Sequence, residues 1–121
     1  MALTTDEVRV DSYKNKAGTR EYGRCTAWVN FDGTGTVAIR DALNVSSITD
    51  TGVGAYTVNF GQSMANVNYS VSLSSRRATT WADGGDQSLN YTAPGVQIQH
   101  VEAGSFTDSY VINVQIFGGD I

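Results

Sequence analysis

Apolar and polar residues alternate with a period of two through much of this chain. In "CTAWVNF", Cys25, Ala27, Val29 and Phe31 fall on one side, with Thr26, Trp28 and Asn30 on the other. "AYTVNF" sets Tyr56, Val58 and Phe60 against Thr57 and Asn59, and "YSVSLS" sets Tyr69, Val71 and Leu73 against serines. "GVQIQHVE" aligns Val96, Ile98 and His100 opposite glutamines, and "DSYVINVQIFG" aligns Tyr110, Ile112, Val114 and Ile116. Each stretch predicts a strand with one dry and one wet face, the pattern of antiparallel sheets packed on one side.

Turn signals separate these strands. Asp32-Gly33 follows the first directly and supplies the positive φ that tight hairpins need. "TDTGVG" from Thr49, "ADGGD" from Ala82, "APG" from Ala93 and "EAGS" from Glu102 punctuate the rest, and the single proline, Pro94, sits in one of them. Only "SMANVN" offers a helical stretch, and it is short. The spacing predicts an all-β fold, an antiparallel β-sandwich of jelly-roll-like type. Residues 1–20 are expected to form an extended N-terminal arm, with Val8 and Val10 alternating, and residues 21–121 the sandwich.

Composition agrees. Of 121 residues 40% are hydrophobic and 17% charged, enough apolar side chain for one folded domain. The formal net charge of −4, eight basic residues against twelve acidic, argues against nucleic acid and against anionic membranes as partners. Cys25 is the only cysteine, so no intrachain disulfide forms, and a small buried strand residue is the expectation. The opening "MALTTDEVRV" carries no apolar leader pattern, and no run approaches the ~18 apolar residues of a membrane span.

Little here points to catalysis. His100 is the sole histidine and alternates with Val96 and Ile98, which predicts a hydrogen-bonded core or interface residue rather than a base. One histidine excludes a multi-histidine metal site. The carboxylates at Asp32, Asp41, Asp83 and Asp86 are scattered among turns; "DGTGT" and "DGGDQ" lack the alternating oxygen ligands of a calcium loop, and "GTG" has no following Gly-Lys. No catalytic residue, metal or cofactor is expected. The stretch "SSRRATTWADGGDQ" differs: Arg76 and Arg77 are the only adjacent basic pair, Trp81 follows among small residues, and Tyr91 lies just beyond. A loop carrying tryptophan and arginine has the composition of a contact surface. The alternative is that Trp81 folds over a sheet edge and the arginines are merely solvated.

The segment from Arg24 to Ser74, "RCTAWVNFDGTGTVAIRDALNVSSITDTGVGAYTVNFGQSMANVNYSVSLS", resembles a module of tail-fibre and other virion proteins of tailed bacteriophages. Its family form runs "AWVNFNGTG", then "IR…FNVSSVTDNGTGDYTVNFTTAMPDANY". The matching residues are Ala27 to Gly35, Ile39 and Arg40, Asn44 to Asp50, Gly52 to Phe60, and Met64 through Tyr69. Leu43 stands where an aromatic is usual, Gly61-Gln62-Ser63 replaces Thr-Thr-Ala, and Ala65-Asn66 replaces Pro-Asp. In the family the module ends a long fibre chain, whereas here a short arm precedes it.

The resemblance implies a virion structural protein, made in the host bacterial cytoplasm, homotrimeric and without enzymatic activity. Its expected partners are sister copies, other tail or capsid proteins and a host surface glycan. The primary expectation is a tail-fibre tip, adaptor or receptor-binding piece; the alternatives are a capsid decoration (head-fibre or cement) protein and a carbohydrate-binding module. Attachment is expected through Leu3, Val8, Val10 and Tyr13 of the arm, and receptor contact through Arg76, Arg77, Trp81 and Tyr91.

Overall fold

The computed structural model describes residues 25–76, 86–102 and 104–120, which form nine strands. These are β1 (Cys25–Asp32), β2 (Ala38–Leu43), β3 (Val45–Gly52), β4 (Ala55–Phe60), β5 (Ser70–Arg76), β6 (Asp86–Leu89), β7 (Gly95–Glu102), β8 (Ser105–Phe106) and β9 (Val111–Phe117). Two antiparallel sheets result, ordered β2-β1-β9-β5 and β3-β4-β7-β6, with β8 added to β7. They pack face to face in a sandwich-like, all-β arrangement, with contacts between β5 and β6 at one edge and between β2 and β3 at the other. Expectations that fall on Leu3, Val8, Val10 and Tyr13, on Arg77 and Trp81, and on the arm as a whole lie outside the described residues.

The alternation read from the sequence is the core. Ala27, Val29 and Phe31 of β1 and Ile112, Val114 and Ile116 of β9 face Tyr56, Val58 and Phe60 of β4 and Val96 and Ile98 of β7. Phe31 meets Tyr56 edge-on with centroids 5.3 Å apart, and Phe60 meets Tyr69 at 5.6 Å. Both are the offset geometry that aromatic quadrupoles favour.

Four strands escaped the pattern. β2 and β3 are edge strands whose residues are mostly exposed, so neither shows a clean dry face. β6 and β8 are too short to show any period. The "SMANVN" stretch is irregular rather than helical. A single residue, Asn44, carries the chain from β2 in one sheet to β3 in the other at φ 51°, a left-handed conformation that asparagine tolerates. Its amide closes the corner: Nδ2 donates to the Thr26 and Gln62 carbonyls, 3.2 Å each, and Oδ1 accepts from Gln62 N at 2.6 Å.

Two residues depart from their expected places. Tyr110 precedes β9 and is 45% exposed instead of turning inward with Ile112, because the chain bends there. Cys25 is only half-buried. A register shift between Cys25 and Ala27 turns Thr26 inward instead, where its hydroxyl donates to the Gly118 carbonyl at 2.8 Å.

The strand directions give the domain two poles. Cys25, Asn44, Phe60, Ser70, Leu89, Gly95 and Phe117 lie at the lower pole. Asp32, Gly54, Arg76, Asp86 and Val111 lie at the upper pole.

Candidate functional site

At the upper pole, the last inward residue of β5 and the first of β6 converge on β7. The His100 ring, 2% exposed, places Nδ1 2.7 Å from Ser75 Oγ and 2.7 Å from Asp86 Oδ1. Ser75 Oγ donates to the Asp86 carboxylate, 2.9 and 3.0 Å from its two oxygens. The three residue types are those of a hydrolase triad, but the arrangement is different. A triad histidine holds its acid on one ring nitrogen and its serine on the other, so that a proton passes through the ring. Here both partners meet the same nitrogen, and the serine points back at the acid. The adjoining cavity of about 10 Å³, lined by Tyr56, Leu73, Ile98 and Ile112, has room for about one water. The cluster is a clamp joining edge β5 of one sheet to edge β6 of the other. Its position also brackets residues 77–85, since Ser75 and Asp86 stand on either side of them. Among the described residues no three His, Cys, Asp or Glu side chains gather as a metal site.

A second set of bonds ties the upper loops together. Tyr56 Oη lies 2.9 Å from the Gly33 carbonyl and 3.0 Å from Asp108 Oδ1, and Asp108 also accepts from Gly54 N at 2.8 Å. Burial, and then the neighbouring Asp108 carboxylate, push the Tyr56 hydroxyl far above the ordinary phenol range. Ser109, fully buried, donates from Oγ to the Arg76 carbonyl at 2.8 Å and so fixes the end of β5. The Arg40 guanidinium sits 4.8 Å above the Tyr110 ring, donates to the Tyr110 carbonyl at 2.7 Å and lies 4.0 Å from Asp32. Asp32 accepts from the Thr34 hydroxyl at 2.5 Å, and this bond holds its carboxyl below the usual range.

Of the receptor-contact residues proposed from sequence, Arg76 and Tyr91 lie among the described residues, and they stand at opposite poles. Arg76 is exposed at the upper pole. Tyr91 lies at the lower pole, where its ring stacks on Tyr69 with centroids 5.2 Å apart and its hydroxyl pairs with Ser88 Oγ. Tyr69 precedes β5, so Arg76 and Tyr91 are separated by roughly seven residues of strand, about 23 Å. Tyr91 caps the core instead: Tyr69 beneath it is buried, its hydroxyl donates to the Thr92 carbonyl at 2.8 Å, and burial raises its titration. Tyr91 and Arg76 are thus not brought together, because β6 runs from the upper pole to the lower one and leaves Tyr91 in the hairpin that leads to β7.

The outer face of the β2-β1-β9-β5 sheet was not foreseen as a site. On its lower half Trp28 stands between Leu43 and Gln115, and Phe117 between Cys25 and Ser70. Leu43 is 47% and Phe117 43% exposed. The signal was present, since Trp28 and Phe117 are bulky aromatics at positions the alternation assigns to the wet side. The outer face of the other sheet carries Thr49, Thr57, Asn59, Gln97 and Gln99, linked in part by Asn59 Nδ2 donating to Ser47 Oγ and Thr49 Oγ1. No protein-family model, curated protein or solved structure matches this chain.

Proposed function

We propose that this chain is a bacteriophage virion structural protein, a homotrimeric tail-fibre tip, adaptor or receptor-binding piece that attaches at its lower pole and presents its upper pole. The observation that carries the reading is this polarity. Cys25, the first described residue after the expected arm, is at one end, and Arg76 and Asp86, which flank the tryptophan-bearing segment, are at the other. Most of the segment that resembles the virion module, from Ala27 to Phe60 within Arg24 to Ser74, supports it by folding as one continuous unit, β1 to β4, around one edge of the sandwich. A contact protein needs its loops held rather than a reaction centre, and Tyr56, Ser109 and the Ser75–Asp86–His100 clamp supply that pinning.

Immunogold labelling of virions with antibody to the purified domain tests the assignment. Label at the tail tip is expected. Label on the head would replace the tail assignment with capsid decoration, and virions without label would overturn the reading. Deleting residues 1–11 is expected to leave a folded domain that no longer joins the particle, and full incorporation of the truncated chain would show that attachment lies elsewhere.

A further inference from the structure

We draw no further inference here: the strongest candidate, the partly exposed apolar patch of Leu43, Trp28 and Phe117 on the outer face of the β2-β1-β9-β5 sheet, carries nothing because no feature of the structure shows what covers it.

Discussion

Replacing Tyr56 by phenylalanine removes one oxygen and leaves the ring where it is. That ring is 1% exposed and packed edge-on against Phe31, so the substitution makes no cavity of consequence. The lost hydroxyl proton serves two acceptors, the Gly33 carbonyl at 2.9 Å and Asp108 Oδ1 at 3.0 Å. A hydrogen bond to a charged acceptor contributes roughly 1.5–3 kcal/mol. Asp108 keeps its bond from Gly54 N, which places the expected loss near the middle of that range, about 2 kcal/mol. With a urea m-value of about 1.5 kcal/mol/M for a domain of this size, the unfolding midpoint should fall by about 1.3 M. The thermal midpoint should fall by about 8 °C. A double-mutant cycle with Asp108→Ala separates the two acceptors, and a coupling energy of about 1 kcal/mol or more is expected. A Tyr56→Phe midpoint within ~0.3 M of wild type, or strict additivity with Asp108→Ala, would refute the view that this hydroxyl pins the upper loops.

Gly54→Ala should be far more damaging than Gly35→Ala. Both glycines have left-handed φ, 66° and 58°, costing about 1–2 kcal/mol for alanine. A Cβ at Gly54 would lie 2.6 Å from the His100 carbonyl and 2.7 Å from Thr107 N, which are backbone, whereas one at Gly35 meets open space; equal urea midpoints for the two variants would refute this. Asp86→Ala should cost about 2 kcal/mol and speed amide exchange in β5 and β6, because the bonds from Ser75 and His100 to the carboxylate are lost. Unchanged exchange there would show that the sheets hold together without the clamp. Tyr56 and Tyr69 both titrate above the unfolded value near 10, so their contribution is fully present below about pH 10 and is eroded as pH rises from there toward their folded values. Each can remove up to about 1.4 kcal/mol per pH unit in that window. Urea midpoints at pH 9 to 11 should show a shallower decline in Tyr56→Phe than in wild type, and identical slopes would contradict the burial of that hydroxyl.

A hydrolase triad asks something different of residues such as Ser75, Asp86 and His100. An enzyme leaves them open to a substrate and in series for proton movement. In this protein they face one another on a single ring nitrogen beside a cavity of about 10 Å³, and their product is a fixed edge between two sheets. The upper pole is thereby held from three sides, by the clamp, by Tyr56 and by Ser109, around the two residues that flank 77–85.

Period-two alternation is a one-dimensional property, and where a strand is central with one face dry it settles structure. Val29, Phe31, Tyr56, Val58, Val96, Ile98, Ile112 and Val114 could therefore be assigned to the core from sequence, and a loop does follow Asp32, but its positive φ falls on Gly35 rather than on the Gly33 that the Asp-Gly signal pointed to. The same property fails at edges. β2 and β3 have water on more than one side, and Cys25 and Tyr110 were displaced by a bulge and a bend that alternation does not encode. Proximity across the fold lay further out of reach. Burial of His100 follows from its place in the alternation, but its meeting with Ser75 and Asp86 depends on β5 and β6 becoming adjacent edges of different sheets. The separation of Arg76 from Tyr91 depends on the direction of β6, which runs from Asp86 at the upper pole to Leu89 at the lower one. Local periodicity dictates which side of a strand is dry, whereas strand order and register dictate which dry or wet sides meet, and those are set by the long-range packing of both sheets together.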